Sequence, residues 1–184
     1  MAFGATYDAC VLHPAGLRDL LVRLAATGLF RAHWSQDILD EMVRSILRRR
    51  PDLTQAQLDR TCELMCDAVP DCLTTGYEDL IGGLCLPDPN DRHVLAAAIR
   101  SGSQVIVTEN LGDFPSHVLE TYGIDTQTPD VFVLHLVELS PRTVYGVLEA
   151  QAAALSNPPI DLDHLLQRLE QSGLPRTIAA LRAQ

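Results

Sequence analysis

Short apolar runs alternate along the chain with longer segments in which apolar residues recur every three or four positions. The run Gln104–Thr108 has the continuous β-branched character of a strand buried in a parallel sheet, and Phe3–Val11 is predicted as the first strand. Cys72–Tyr77 and Ile124–Asp125 are candidates for two shorter strands, the second at an edge of the sheet. Strands that alternate with helices in this way are typical of an α/β domain with a parallel sheet.

The residues at the expected helix starts support this alternation. Ser35 can cap a helix rich in apolar residues, and Thr54 with Gln57 has the pattern of a capping box for the next helix. Asp88 and Thr128 are each followed by proline, which is tolerated at the first position of a helix. We therefore expect helices to begin directly after these capping residues.

The helical pattern restarts at Ser140 and continues through the rest of the chain. It predicts three helices: one through about Leu155, then Leu162–Gln171 and Pro175–Arg182. None of the three carries a candidate catalytic group. We expect residues 1–139 to form the α/β domain and residues 140–184 to form a helical C-terminal extension, packed on that domain or on a partner.

Acidic residues are concentrated in the middle of the chain. The net charge is −10, and residues 61–139 contain thirteen acidic residues against two arginines. Such a segment suits a cation site, although acidic residues usually form a solvated surface. All fourteen basic residues are arginine, which excludes P-loop NTPases, pyridoxal-phosphate enzymes and protein kinases because each of these classes requires a lysine.

The sequence also predicts where the protein works. The segment Met1–Val11 contains Asp8 and lacks the basic region that opens a secretion signal. No apolar run in the sequence reaches the roughly 18–20 residues of a membrane span. The five cysteines lack C-x-x-C spacing and are typical of free thiols in a reducing compartment. We therefore expect a cytoplasmic protein without membrane attachment.

Four carboxylates occupy positions at which the side chains of an α/β fold can converge. Asp8 is expected at the end of the first strand, and Asp113 follows the strand Gln104–Thr108. Glu41 lies within a helix and Asp91 in the first turn of another. If these side chains meet, their mutual repulsion calls for a divalent cation, and ligands that are all oxygen favour Mg²⁺ or Mn²⁺. Sites of this kind commonly hydrolyse phosphodiester bonds.

Each of these carboxylates also has an ordinary structural interpretation. Asp8 can simply end a strand, and Glu41 can pair with Arg44 on the surface of its helix. Asp91 suits the positive end of a helix dipole, and Asp113 suits a turn. The spacing of the residues alone leaves both interpretations open.

Four sequence segments resemble the motifs of a known family. They are D-A-C-V-L-H-P from Asp8, W-S-Q-D-I-L-D-E ending at Glu41, L-P-D-P-N-D-R-H-V-L-A-A-A-I at 86–99 and V-I-V-T-E-N-L-G-D-F-P at 105–115. In this order and spacing they are similar to the acidic motifs of PIN-domain nucleases, over residues 3–139 of the chain. Among bacterial members, the chain resembles VapC-type toxins of toxin–antitoxin pairs.

The resemblance implies a three-layer α/β/α fold with a central parallel sheet, and Mg²⁺- or Mn²⁺-dependent cleavage of RNA. It assigns four carboxylates as catalytic residues and metal ligands: Asp8, Glu41, Asp91 and Asp113. Thr108 and Asn110 would be polar helpers beside them. The resemblance also implies a protein antitoxin, which would occupy the active-site groove, and a homodimer.

RNA would approach this negative centre with the help of arginine side chains. Five arginines are candidates for contact with phosphates: Arg44, Arg48, Arg49, Arg50 and Arg92. Arg48 and Arg49 are the leading ones, and a solvated surface charge is the alternative for each. The chain departs from the family at Glu109, where many relatives carry arginine or an uncommitted residue, and in its helical extension, which is longer than in minimal toxins.

Other chemistry receives less support from the sequence. No G-x-S-x-G motif occurs, and Cys10 has no positive group near it in sequence that would activate a thiol. His93 is more typical of a surface position on a helix than of a substrate contact. Two alternatives to a toxin remain: a PIN-domain nuclease of RNA processing or decay, and a non-catalytic module that binds RNA or protein. Four intact carboxylates favour an enzyme, because an unused acidic cluster costs stability.

Overall fold

Four short parallel strands form the central sheet in a computed structural model that describes residues 2–183. The expected domains 1–139 and 140–184 begin at Met1 and end at Gln184, and these two residues lie outside the described residues. The strands are β1 (Gly4–Tyr7), β2 (Arg31–His33), β3 (Val105–Val107) and β4 (Asp125–Gln127). They lie in the order β2-β1-β3-β4, and each neighbouring pair is parallel. The predicted α/β fold with a central parallel sheet is therefore confirmed.

Helices make up most of the rest of the described chain. They are α1 (Ala9–Leu12), α2 (Ala15–Ala26), α3 (Gln36–Arg49), α4 (Gln55–Ala68), α5 (Glu78–Ile81), α6 (Arg92–Ser101), α7 (Ser116–Leu119), α8 (Pro129–Leu139), α9 (Pro141–Ala154), α10 (Leu162–Gln171) and α11 (Pro175–Arg182). Within residues 2–183, no single helix combines the length and the apolar character of a membrane span. Among the described helices, only α8 and α9 taken together have the length and apolar character of a span, and these two helices meet at a bend of 120°.

The predicted helix starts are formed by the expected side chains. Ser35, Asp88 and Thr128 each accept a hydrogen bond from a backbone N–H in the turn that follows them. Thr54 and Gln57 make the reciprocal hydrogen bonds of a capping box at the start of α4. Asp88 caps a 3₁₀ turn that leads directly into α6, so the carboxylate of Asp91 is fixed at the start of that helix.

Two strand predictions are wrong, one in its extent and one altogether. The predicted strand Phe3–Val11 ends at Tyr7, because Asp8 keeps an extended backbone and the residues after it turn into the short helix α1. The segment Cys72–Tyr77 is not a strand and contributes only an isolated bridge to Trp34. The three-residue strand β2, which the sequence pattern did not predict, pairs with β1 instead.

An aromatic cluster joins β1 to the C-terminal helices. Tyr7 stacks on Trp34 with ring centroids 6.0 Å apart and meets Phe132 of α8 edge-on at 6.2 Å. Phe30 completes the cluster, with its centroid 5.0 Å from that of Phe132. All four rings are buried. Because Tyr7 directly precedes Asp8, this packing fixes the end of β1 at which the candidate carboxylate lies.

The last helix is attached through a buried carboxylate. Asp130 of α8 accepts hydrogen bonds from the backbone N–H groups of Arg176 at 3.1 Å and Thr177 at 2.8 Å. The Thr177 hydroxyl donates in return to the carbonyl of Asp130 at 2.8 Å. Asp130 thereby satisfies the free N–H groups at the start of α11 and holds this helix against α8.

Candidate functional site

The register of the sheet brings Asp8 and Thr108 together beyond the carboxyl ends of β1 and β3. Tyr7 pairs with Val107, and the backbone N–H of Asp8 donates to the Val107 carbonyl at 3.1 Å. The Thr108 hydroxyl donates to Oδ2 of Asp8 at 2.7 Å, and Asp8 is only 4% exposed. Asn110 donates from its backbone N–H to Oγ1 of Thr108 at 3.0 Å. Ligands of α/β folds bind at this end of the strands.

The thiol of Cys10 also supports the Asp8 carboxylate. Its Sγ lies 3.0 Å from Oδ2 of Asp8 and accepts a hydrogen bond from the backbone N–H of Glu109 at 3.3 Å. Burial, together with the nearby charge of Asp8, raises the pKa of Cys10 to about 12. The side chain therefore remains a protonated thiol that donates to Asp8, and it is not an activated nucleophile.

Glu41 of α3 contacts a histidine from a different helix. Its side chain is 40% exposed, and its Oε2 lies 3.2 Å from Nε2 of His93 on α6. The hydrogen bond from His93 lowers the pKa of Glu41 below its ordinary value, and His13 and Arg44 act in the same direction. Glu41 is therefore an anion at neutral pH.

Asp91 lies at the centre of the acidic group. Its pKa is raised from the ordinary 3.8 to about 7, first by burial and then by the charges of Asp8, Asp113, Asp88 and Glu41. Carboxylates affect one another in this way only when they lie within a short electrostatic range. The charges of the other three predicted carboxylates and of Asp88 therefore all act on Asp91, although Asp8 and Asp113 do not line the cleft described next.

Asp91 and Glu41 line an open cleft of about 750 Å³. The other residues that line it are Asp37, Arg44, Leu47, Arg48, Asp88, Asn90 and His93. Arg44 and Arg48 lie one helical turn apart on α3, on the same face as Glu41 and Asp37. The cleft therefore has carboxylates along one part and two guanidinium groups along another.

The donor atoms of the acidic group fit a divalent cation. They are carboxylate oxygens, which Mg²⁺ and Mn²⁺ prefer as ligands. A cation would also offset the repulsion that contributes to the raised pKa of Asp91. Among residues 2–183, no three side chains of Asp, Glu, His or Cys already lie close enough together to hold an ion. The predicted metal ligands therefore do not form a metal cage within this described part of the chain.

The other predicted site residues differ in their positions. The Thr108 hydroxyl contacts Asp8 directly, whereas Asn110 reaches the group through its backbone N–H. Arg48 lines the cleft, whereas Arg49 does not. The charge of Arg49 acts on His13, whose pKa is lowered mainly by burial and further by this charge. The catalytic and metal-binding roles of these residues stay predictions.

Three residues belong to the site although sequence reasoning did not place them there. His93 was expected on the surface of its helix, but its side chain is only 14% exposed and contacts Glu41. Cys10 donates to Asp8 from the short helix α1, which follows β1. Asp37, one helical turn before Glu41, lines the cleft and accepts a hydrogen bond from the Tyr77 hydroxyl at 2.7 Å. The spacing of Asp37 and Glu41 on one helix was the only signal in the sequence.

Comparisons with known proteins identify the family. A family model described as PIN domain matches residues 6–112, more than half of the chain. The chain belongs to the PIN-domain family. The matched range contains Asp8, Glu41 and Asp91, and it ends one residue before Asp113. The family resemblance inferred from the four motifs is thereby confirmed, and the parallel sheet with its surrounding helices is the three-layer α/β/α architecture expected of a PIN fold.

The C-terminal helices have a match of their own. A model described as VapC50 C-terminal domain matches residues 129–183, which contain α8 to α11. The Mycobacterium tuberculosis protein named "Putative ribonuclease VapC50" is 37% identical over 119 residues, which are 62% of this chain and 69% of that protein. No solved structure matches the chain significantly. The chain is thus similar to a VapC-type PIN protein both in the α/β part and in its terminal helices.

Proposed function

We propose that this PIN-domain protein is an endoribonuclease that uses Mg²⁺ or Mn²⁺ to hydrolyse phosphodiester bonds in RNA. The observation that carries the proposal is the crowding of carboxylates around Asp91, whose pKa is raised to about 7 beside an open cleft. Carboxylates gathered in this way are typical of divalent-cation sites that cleave phosphodiesters. The name of the mycobacterial relative supports RNA as the substrate.

The predicted site residues would have different parts in this reaction. The residues that would hold the cation are Asp8, Glu41, Asp91 and Asp113. When bound, the cation would help to activate water and would offset the charge that develops on the phosphate. Thr108 holds Oδ2 of Asp8 in one orientation through its hydroxyl. Glu41, which stays ionised, would either ligate the cation or orient the attacking water as its base.

The arginines of the cleft suit the backbone of the substrate. Arg44 and Arg48 line the cleft, and neither forms an ion pair with another residue in the range 2–183. Guanidinium groups without a carboxylate partner can form charge-assisted hydrogen bonds with phosphates. An RNA strand would therefore lie along α3, with its scissile phosphate near Glu41 and its neighbouring phosphates near the two arginines.

A cleavage assay tests the proposal directly. Purified protein and labelled single-stranded RNA are mixed with Mn²⁺, with Mg²⁺ or with a chelator. We expect internal cleavage with at least one of the two metals and none with the chelator, because hydrolysis needs the cation to activate water and to offset the charge that develops on the phosphate. Intact RNA in all three reactions would overturn the proposal, and equal cleavage in the chelator would overturn its metal dependence.

Replacement of Arg48 by alanine is expected to weaken RNA binding. The loss of one phosphate contact should reduce the slope of log affinity against log salt by about 0.7 for a single strand. Because the contact is made to the backbone and not to the reacting atoms, KM should rise while kcat stays within about threefold. Fluorescence anisotropy over a range of salt concentrations, with a chelator present to prevent cleavage, measures the slope.

Arg142→Ala is the matched control for Arg48→Ala. Arg142 lies on α9, is exposed and forms no ion pair within residues 2–183, so its replacement removes the same charge away from the cleft. Its salt slope should equal that of the unmodified protein. If the two variants lose affinity equally, only net charge matters and Arg48 has no specific contact with RNA.

We further propose that the protein acts in the cytoplasm as the toxin of a toxin–antitoxin pair, with a small protein antitoxin as its partner. The similarity to VapC50, in both parts of the chain, supports this role. Induced expression in a bacterial culture should stop growth, and co-expression of the gene next to the toxin gene should restore it. Normal growth with active enzyme present would favour RNA processing or decay over a toxin. The predicted homodimer is tested by sedimentation of the purified protein.

A further inference from the structure

We infer that His93 is a positioning residue for the reaction: it donates from Nε2 to Glu41 and fixes that carboxylate beside the cleft. The inference rests on the proposed function, since it concerns one carboxylate of the same site. Neither the motif resemblance nor the comparisons with known proteins assign a role to this histidine. Its place in the chain, two residues after Asp91 at the start of α6, links two of the candidate metal ligands.

The contact between the two side chains is direct and largely shielded. Nε2 of His93 lies 3.2 Å from Oε2 of Glu41, and the two residues are 52 positions apart in sequence. The His93 side chain is 14% exposed, whereas that of Glu41 is 40% exposed. The imidazole is thus held by packing and the carboxylate is the mobile partner, so the hydrogen bond restricts the carboxylate.

The other ring nitrogen determines the tautomer. Nδ1 of His93 is buried and has no hydrogen-bond partner among residues 2–183. A proton on Nδ1 would leave a buried N–H group without an acceptor, which costs about 1–3 kcal/mol. A carboxylate, by contrast, can only accept a hydrogen bond. The geometry therefore requires a proton on Nε2, which is donated to Glu41.

This arrangement leaves one oxygen of Glu41 available. Oε2 is used by His93, and Oε1 has no hydrogen-bond partner within the described chain. A glutamate on a helix has three rotatable side-chain bonds, and fixing one oxygen removes much of this freedom before any ligand binds. Outer partners that orient a metal ligand in this way typically change metal affinity or activity by about 10- to 100-fold.

Two substitutions separate positioning from packing. His93→Leu keeps an apolar side chain of similar size but removes the donor, and His93→Gln keeps an N–H donor close to the place of Nε2. We expect kcat of the leucine variant to fall by about 10- to 100-fold with KM for RNA nearly unchanged. The glutamine variant should recover most of this loss, because it restores the hydrogen bond to Glu41.

His135→Leu is the matched control for these variants. His135 is exposed on α8, and its replacement removes one imidazole away from the cleft, so it should leave kcat unchanged. Thermal unfolding of each variant shows whether it is folded. If His93→Gln is as slow as His93→Leu while both are as stable as the unmodified protein, the hydrogen bond has no positioning role and the inference is wrong.

Two further measurements do not depend on RNA cleavage. In the metal-free protein, ¹⁵N NMR of the His93 ring should show a proton on Nε2, the nitrogen that contacts Glu41. Titration with Mn²⁺, followed by electron paramagnetic resonance, should show affinity about tenfold weaker in His93→Leu and near normal in His93→Gln. An Nε2 without a proton, or equal Mn²⁺ affinity in all variants, would overturn the inference.

Failure of this inference can be distinguished from failure of the proposed function. If the unmodified protein cleaves RNA and His93→Leu cleaves it equally fast, the nuclease stands and the role of His93 is wrong. If the unmodified protein leaves RNA intact with both metals, the proposed function is wrong. In that case the NMR and Mn²⁺ measurements still decide whether His93 positions Glu41 as a ligand.

Discussion

Replacement of Asp91 by asparagine is expected to reduce RNA cleavage by at least about 1,000-fold, or about 4 kcal/mol in the activation free energy. Asp91 has the central position, since the charges of Asp8, Asp113, Asp88 and Glu41 all act on it. An amide of the same size keeps the shape of the cleft but removes the negative charge that would attract the cation. Initial rates on labelled single-stranded RNA at saturating Mn²⁺ measure the loss.

The same substitution should raise stability when no metal is present. The pKa of Asp91 is higher in the folded protein than its ordinary 3.8, so the folded state binds a proton more tightly than the unfolded state. Stability from this group is present below the ordinary pKa and is lost as the pH rises towards 7. The asparagine variant should therefore gain stability relative to the unmodified protein between about pH 5 and about pH 8, measured by urea unfolding with a chelator.

Asp163→Asn provides the control for both effects. Asp163 is exposed on α10, outside the cleft, so its replacement should leave activity unchanged and should not relieve the repulsion around Asp91. An Asp91→Asn protein with full activity would contradict the assignment of the carboxylates as a metal site. An inactive variant without the gain in stability would instead indicate that the carboxylates do not repel one another in solution.

The parts of the fold that the sequence predicts well are those fixed by neighbouring residues. A capping side chain bonds to a backbone N–H only two or three residues ahead, so Ser35, Thr54, Asp88 and Thr128 could be recognised without knowledge of the tertiary structure. The same holds for the central strand β3, whose β-branched residues are buried on both faces. In each case the residues that determine the element are close neighbours in the sequence.

The strands that were missed or overextended depend on distant partners. β2 has only three residues, including an exposed arginine, and it exists because β1 offers it a parallel edge. β1 ends at Tyr7 because the chain must turn there to form α1, although the apolar pattern continues to Val11. Short strands have little periodicity of their own, so their limits are set by tertiary pairing.

The contacts of the site likewise divide into those that the sequence predicts and those that depend on the tertiary structure. Asp8 and Thr108 could be expected to meet, because both follow parallel strands of the sheet. The contact between Glu41 and His93 joins two helices whose relative position no local pattern determines. The double use of Asp88, as a cap and as part of the cleft, is also a tertiary result. A charged residue with a sufficient local role can therefore still belong to a functional site.

Addition of Mn²⁺ is expected to stabilise the unmodified protein strongly. A ligand that binds only the folded state contributes about 2.7 kcal/mol at 100 times its Kd. For a chain of this size, that corresponds to an increase in Tm of about 5–10 °C. The physical reason is that the carboxylates around Asp91 repel one another in the folded state, and a bound cation would attract all of them. Differential scanning calorimetry with and without Mn²⁺ measures the shift.

This thermal shift separates a metal site from a general effect of salt. NaCl at matched ionic strength screens the carboxylates without binding among them, so it should raise Tm by much less than Mn²⁺. Asp91→Asn should begin from a higher Tm without metal and gain little from Mn²⁺, whereas Asp163→Asn should show the full increase. Equal responses of the two variants would mean that Mn²⁺ binds elsewhere. A response to NaCl as large as that to Mn²⁺ would mean that the carboxylates only repel one another and hold no cation.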